Sequence, residues 1–308
     1  MEGYHKTVLL NEAIEVLVIR DAWFLDCTLG DGGHSLEIIG RGGKVVGVDV
    51  DPEALGRVQK RFEQLGIGKD RYKLIQGNFR DIKNLIQKQT NLPADATHQA
   101  LQAGTVDLKI AGAIFDLGVS SLQLESSKRG FSFGKDGPLD MRMDPTLAIA
   151  ALDIVNNFSG KELYEIFKQL GEEKYSKRVA DAIVRAREVR QFSSTLGLAG
   201  VIERVLGRQG HIHPATKVFQ ALRIFVNDEL GALKEGLVEV FDLIENRGVM
   251  SVISFHSLED RIVKNVFKDW QDLGFGEVIT KKPIVPGEQE VAENPRSRSA
   301  KLRIFKKI

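Results

Sequence analysis

Short apolar runs alternate with amphipathic stretches over the first 120 residues. Ala22-Trp23-Phe24-Leu25-Asp26-Cys27 ends in a glycine-rich turn, after which residues 35–39 take up helical spacing. Lys44-Val45-Val46-Gly47-Val48-Asp49 is β-branched and apolar, the pattern of a strand buried on both faces. Pro52 stands where a helix would begin, and residues 53–65 continue it. Residues 72–76 and the run Ile110-Ala111-Gly112-Ala113-Ile114-Phe115-Asp116 give a third and a fourth strand. This alternation predicts a parallel α/β sheet with right-handed crossovers.

The next strong strand signal, Val249-Met250-Ser251-Val252-Ile253-Ser254-Phe255, lies more than 130 residues past Asp116, too far for one crossover. The intervening segment reads as helical. Ser159 and Glu162 form a capping box ahead of Leu163, Ile166, Phe167 and Leu170, with Gly171 able to close the helix. A second helix places Tyr175, Val179, Ala182, Ile183 and Ala186 on one face, while Lys174, Lys177, Arg178, Arg185 and Arg187 cover much of the rest. A third spans residues 195–206, and Pro214 opens a fourth with Val218, Ala221, Leu222 and Phe225 on its stripe. The expected organisation is therefore a discontinuous α/β domain, 1–122 and 227–308, with an inserted helical domain, 123–226. After Phe255, the run Ser257-Leu258-Glu259-Asp260 caps another helix ending near Trp270, and residues 277–281 and 301–306 suit an antiparallel hairpin at the sheet edge, joined by a long polar loop.

The 308 residues carry 43 Lys and Arg against 42 Asp and Glu, and 43% are hydrophobic, a composition that excludes wholesale disorder. No apolar run is long enough for a membrane-spanning helix, and the N-terminus lacks a signal-peptide pattern. The single cysteine, Cys27, excludes an internal disulfide framework and points to a reducing compartment, expected to be the cytoplasm. The near-zero net charge conceals segregation. Residues 296–307 hold six basic side chains and no acid, and residues 123–226 hold 16 basic and 12 acidic ones, leaving the remainder acidic. Such asymmetry suits a polyanionic partner.

Candidate chemistry gathers at the predicted strand ends. Asp26-Cys27-Thr28-Leu29-Gly30-Asp31-Gly32-Gly33-His34 joins a strand to a helix, where glycines permit a tight turn and close ligand approach. It lacks the third glycine of a dinucleotide fingerprint. Asp49, 19 residues past Gly30, is placed to accept two ribose hydroxyls. Asp51 is available to cap the next helix. A pyrophosphate wants no nearby negative charge. The flanking Asp26 and Asp31 therefore favour the sulfonium and amino-acid end of S-adenosylmethionine over a nicotinamide dinucleotide. Asn78-Phe79 and Asp116-Leu117-Gly118 follow later strands, with Asp116 a candidate carboxylate at the cofactor. The segment 129–144 crowds Arg129, Phe131, Phe133 and Arg142 into one loop, where an aromatic could stack a base and an arginine hold phosphate. His256 faces the same strand ends, and Arg296 and Arg298 suit backbone phosphates.

Together, residues 5–10, the turn 26–35, and the segments 116–123, 129–144, 213–227, 254–264 and 294–299 resemble the MraW family of small-subunit ribosomal RNA methyltransferases. The resemblance spans nearly the whole chain. It implies a Rossmann-like S-adenosylmethionine-dependent methyltransferase sheet with an inserted helical substrate domain, acting on N4 of a cytosine in the decoding region of 16S rRNA within the small ribosomal subunit. By position it implies cofactor contacts from Gly32, Gly33, His34, Asp49, Phe79, Asp116 and Gln123, and no metal. Asp116 is also the first candidate to accept the amine's hydrogen. Substrate contacts are expected from Arg129, Phe131, Arg142, Arg296 and Arg298. The alternative is a non-enzymatic RNA-binding assembly factor with a vestigial cofactor pocket, against which the intact glycines and aspartates argue. Residues 90–105 read as a variable loop.

Overall fold

A computed structural model of the chain describes residues 6–89, 109–208 and 213–308, so the loop 90–105 lies outside the described residues. The chain divides into two compact units, Met1–Gly118 with Leu230–Ile308, and Val119–Glu229. The expected insert, 123–226, falls inside the second.

The first unit is built on a seven-stranded sheet. Its strands are β1 (Trp23–Asp26), β2 (Lys44–Asp49), β3 (Tyr72–Gln76), β4 (Ile110–Asp116), β5 (Ile244–Ser254), β6 (Gly276–Val278) and β7 (Lys301–Lys307), in spatial order 3-2-1-4-5-7-6. Strands β1 to β5 pair in parallel, and β7 runs antiparallel to both β5 and β6. This is a Rossmann-like, doubly wound sheet. Its first six residues buried, β4 shows why the central strands read as continuous apolar runs. One face packs Phe24, Val45, Ile114 and Ile253 against α1 (Leu10–Glu15) and α2 (Gly33–Gly40). The other packs Val46, Phe115 and Val252 against α4 (Ile82–Gln89), α11 (Glu229–Leu243) and α12 (Ser257–Asp272). Helix α3 (Pro52–Gln64) closes the β3 edge with Val58 and Phe62. The chain winds outward from β1 through β2 to β3, then returns to β4 on β1's other side. That reversal opens a crevice at the carboxyl ends of β1 and β4, where open α/β sheets bind ligands.

Two details differ from the sequence reading. The cap of α12 is His256, whose Nδ1 accepts from the Glu259 N–H while the Glu259 carboxylate accepts from the His256 and Phe255 N–H groups. A buried carboxylate receiving two backbone donors outweighs the local capping strength of Ser257. The polar loop before β7 is partly ordered as α13 (Glu288–Glu293) and a 3₁₀ turn, Pro295–Ser299.

The second unit is helical. It contains α5 (Ser121–Glu125), α6 (Ala151–Asn157), α7 (Gly160–Gln169), α8 (Ser176–Val189), α9 (Thr195–Leu206) and α10 (Thr216–Asn227). Its core holds Ile154, Leu163, Phe167, Ile183, Leu198, Ile202, Val218 and Leu222. The Ser159–Glu162 capping box is present. Tyr175, expected on the apolar face, is exposed, because it sits ahead of the first full turn of α8 rather than on its buried stripe. The left-handed residue after α7 is Glu172, not Gly171. Gly171 is needed instead for close packing, since a Cβ there would press on the Lys217 and Phe167 carbonyls.

Arg303 on β7 is buried and donates from Nε to Asp260 Oδ1 at 2.6 Å. Burial alone would raise the Asp260 carboxyl, yet Arg303 and Lys301 hold it below the usual carboxylate value. Arg303→Met is expected to destabilise the fold by about 2–4 kcal/mol, because it strands a shielded carboxylate. Urea unfolding at pH 7 reads this, and an unchanged midpoint would show the pair to be energetically idle.

Candidate functional site

Three carboxylates end three adjacent strands of the first unit: Asp26 on β1, Asp49 on β2 and Asp116 on β4. Asp26 is buried, accepts from Ser35 Oγ at 2.6 Å, and receives the Thr28 N–H at 3.3 Å. Asp49 accepts from the Gly30 N–H at 2.9 Å and the Asp51 N–H at 2.9 Å, so its carboxylate ties the glycine turn to β2. Asp51 caps α3 through the Glu53 N–H. The Asp116 N–H donates to Thr28 Oγ1 at 2.6 Å, but Asp116 Oδ1 is buried and has no hydrogen-bond partner among the described residues.

Burial penalises charge on all three, lifting Asp26 and Asp49 to about 6 and Asp116 to about 8. For Asp116, repulsion from Asp26 and Glu259 adds to desolvation. His34 moves the other way, down to about 4, because burial disfavours the imidazolium. The neutral ring holds Nε2 3.2 Å from the Val8 carbonyl, which fixes Nε2 as the protonated nitrogen. Nδ1 then turns its lone pair toward Asp116 Oδ2, 3.7 Å away and beyond hydrogen-bonding distance.

The glycines answer two separate constraints. Gly32 caps α2 in the left-handed region, φ 71°, where a Cβ would also press on Val58. Gly33 lies against Thr7, so that a Cβ would overlap the Thr7 Oγ1. The N-terminal segment thus packs directly on the turn. It is held in place by Lys6 pairing with Glu293, the Leu9 N–H donating to Glu290 Oε1 at 2.8 Å, and Asn294 Nδ2 donating to the Lys6 carbonyl at 3.1 Å. Asp31 does not confront a ligand with bare charge. Arg57 Nη2 lies 3.0 Å from its carboxylate and Arg61 Nη1 donates to its carbonyl at 2.7 Å. The acids that bear on the crevice are Asp26, Asp49 and Asp116.

Gly32, Gly33, His34, Asp49 and Asp116 therefore come together at the ends of β1, β2 and β4. Phe79, just beyond β3, is half-buried, in a T-shaped contact with Phe115 at 5.4 Å between ring centroids and with its ring close against Gly236, where a Cβ would not fit. Gln123 belongs to the second unit, where its Oε1 accepts from the Ser120 N–H and its own N–H donates to Ser120 Oγ, the capping box of α5.

The loop 129–144 is stitched together internally. Arg129 donates to the Arg142 and Met143 carbonyls, and Arg142 grips Asp140 with Nε and Nη2, both at 2.8 Å, and the Leu147 carbonyl with Nη1. Phe131 is 6% exposed, within the helical core. This corrects the expectation of a stacking surface: the ring is spent on packing. Phe133 stacks on His213, ring centroids 4.6 Å apart. Arg296 and Arg298 are exposed on the 3₁₀ turn. His256, a possible substrate contact by sequence, serves as a helix cap. Sequence reasoning missed Thr7, Val8, Thr28 and the Arg57–Arg61 clamp. Only the clamp left a local signal, two arginines one helical turn apart.

Two outcomes follow from this geometry. Gly33→Ala is expected to destabilise the fold by about 1–3 kcal/mol through overpacking, with most of the loss recovered when Thr7→Gly is added. Chemical denaturation of both variants checks it, and no recovery would place the strain elsewhere. Because Asp26, Asp49 and Asp116 hold protons in the fold at pH values where the unfolded chain releases them near 3.8, stability without ligand is expected to fall as pH rises from about 4 to 8. Asp116→Asn is expected to flatten the upper half of that decline in urea midpoints. A slope unchanged by the substitution would mean that Asp116 titrates normally.

Among the described residues, no helix is long and apolar enough to cross a membrane. The sequence profile of the MraW methylase family matches residues 2–308. The chain is 43% identical over 311 residues to the ribosomal RNA small subunit methyltransferase H of Persephonella marina, covering 99% of each. It is 44% identical over 327 residues to the protein of the same name from Carboxydothermus hydrogenoformans, covering 100% of this chain and 99% of that one. Superposition on a putative methyltransferase from Streptococcus mutans, solved in complex with SAH, covers 97% of this chain and 96% of that one, at 12% identity and a TM-score of 0.43. With its whole length matched by the family profile and by relatives above 40% identity, the chain belongs to the MraW methylase family.

Proposed function

We propose that this chain methylates N4 of a cytosine in the decoding region of 16S rRNA, using S-adenosylmethionine. The observation that carries the cofactor is the half-buried carboxylate of Asp116, whose Oδ1 is shielded and unpartnered among the described residues, close enough to Asp26 and Glu259 to feel their charge. Desolvated acids without a fixed cation favour a cationic ligand, whose charge would lower their raised pKa values. The residues of the first unit fit the group: Asp49 for the ribose hydroxyls, the uncrowded main chain at Gly30 for close approach, Phe79 beside the adenine, and His34 and Asp116 to complete the contacts; Gln123, on the second unit, is assigned by resemblance alone. Bound there, S-adenosylmethionine supplies an electrophilic methyl on a positively charged sulfur. Support for the ribosomal RNA substrate comes from the full-length relatives, which carry that activity in their names.

The chain's own residues have two tasks in this reading. Asp49 and the glycine turn orient, because Asp49 already fixes the Gly30 N–H and a displaced turn would move the whole contact set. Asp116 accepts. The cytosine amine is a poor nucleophile whose lone pair is delocalised into the ring, and it must shed a proton as it forms a bond to carbon. The unpartnered Asp116 Oδ1 can take a hydrogen bond from that amine once the carboxyl is ionised. The base must leave its stack to reach the crevice. Arg296 and Arg298, exposed and basic, contact backbone phosphate, and Arg129 and Arg142 shape the loop on which the substrate rests. The cytoplasm is the compartment in which this substrate is met.

The test is methyl transfer from labelled S-adenosylmethionine to small ribosomal subunits lacking the modification, followed by nucleoside mapping. Label at N4 of a decoding-region cytosine is expected, with a loss in kcat of about 100-fold or more for Asp116→Asn at saturating cofactor. Label in another nucleotide would overturn the assigned base, and an unchanged kcat would remove Asp116 as acceptor. No label despite cofactor binding would favour the assembly-factor alternative.

A further inference from the structure

Helix α8 begins at an aromatic ring that the protein does not cover. Tyr175 is 42% exposed. Among the described residues between Ile149 and Val189 it is the one large apolar side chain so exposed. Lys174 Nζ lies 5.5 Å from its ring centroid and Arg178 Cζ 5.6 Å, both within cation–π range. Lys174, Lys177 and Arg178 are themselves exposed, and the first turn of α8 contains no acid. Lys217 joins them by donating from Nζ to the Glu172 carbonyl at 3.0 Å. The acids just before the helix are Glu172, which is exposed, and Glu173, whose Oε1 accepts from the Tyr175 N–H at 2.9 Å.

The backbone beneath the ring is fixed. The Tyr175 carbonyl accepts from the Val179 N–H at 3.1 Å, and Ser176 Oγ is bonded to the Glu173 carbonyl. An aromatic ring this exposed, on a fixed backbone and with two long-armed cations over it, can stack a nucleobase on a face that a cation vacates to take the adjoining phosphate. A protein partner would instead call for a contiguous apolar patch, and this ring stands alone among charges.

We propose that Tyr175, with Lys174, Lys177 and Arg178, is a stacking platform for one unpaired base of the RNA substrate. The proposal deepens the RNA-substrate reading above and rests on it.

The experiment uses the full chain and two probes, a fluorescein-labelled single-stranded RNA of about 12 nucleotides and an inorganic polyphosphate, which offers phosphates without bases. Tyr175→Ala is expected to weaken RNA binding roughly tenfold or more while leaving polyphosphate binding unchanged, and Tyr175→Phe to retain RNA binding. Lys174→Gln with Lys177→Gln is expected to weaken both probes and to reduce the salt dependence by roughly 1.4 in log–log slope. Thermal unfolding of each variant confirms that the helix persists. RNA affinity indifferent to Tyr175→Ala, or an equal loss for polyphosphate, overturns the platform. Methyl transfer to unmodified small subunits separates this failure from that of the broader reading. A wild-type chain that transfers no methyl yet binds RNA through Tyr175 keeps the platform and loses the methyl-transfer assignment. A chain that transfers normally, with KM and RNA affinity unmoved by Tyr175→Ala, does the reverse.

Discussion

Carboxylates at the ends of three neighbouring strands, one buried and two half-buried, with no resident cation among the described residues, set the terms for the first unit. Placing Asp26, Asp49 and Asp116 there costs free energy, as their raised pKa values register. The fold offsets part of that cost with short local bonds. Ser35 Oγ and the Thr28 N–H serve Asp26, while the Gly30 and Asp51 N–H groups serve Asp49. Asp116 is left with one oxygen unmatched. A stability-optimised sheet would put an amide or an apolar group there, so the residual penalty is evidence of a ligand-directed arrangement.

The same penalty explains why the glycine turn is braced from so many directions. Asp49 holds it from β2, Arg57 and Arg61 hold Asp31 from α3, and Thr7 closes on Gly33 from the N-terminal segment. That segment is tied in turn to Glu290, Glu293 and Asn294, immediately before the turn that displays Arg296 and Arg298. The glycine turn and the basic surface segment thus share one mechanical support, four residues long, although nearly 290 residues of sequence separate its two sides.

Legibility from sequence followed the range of the interaction. Strands β2 and β4 were readable because burial on both faces imposes apolar continuity on a short window, and the Ser159–Glu162 box because capping acts across three residues. Asp49 and Asp116 were readable because strand ends in this topology converge. The Thr7–Gly33 packing and the Val8–His34 hydrogen bond left no local trace, since each joins segments about 26 residues apart. The loop 129–144 shows the converse, internal bonding that its composition did not announce. Its density of arginines and aromatics suggested ligand binding, yet most of that chemistry satisfies the loop's own carbonyls and the Asp140 carboxylate. An irregular segment buried against a helical core must supply its own hydrogen-bond partners, and long side chains are the cheapest source.

Tyr175 illustrates how a periodicity argument can fail in an informative way. Heptad-like spacing assigned it to the buried face with Val179 and Ile183, but the first residue of such a series can fall outside the helix proper, where the backbone turns away. The ring then keeps the aromatic identity that made it look like core while losing the cover. What surrounds it is not the neutral polar rim of an ordinary surface tyrosine but Lys174, Lys177 and Arg178. Mutual repulsion among three exposed cations costs α8 free energy, which the cation–π contacts and the Arg178 hydrogen bond to the Val205 carbonyl repay only in part. As with Asp116, a local cost that the fold repays only in part agrees with the proposed ligands: positive charge for the first unit's crevice, and phosphate with a base for the start of α8.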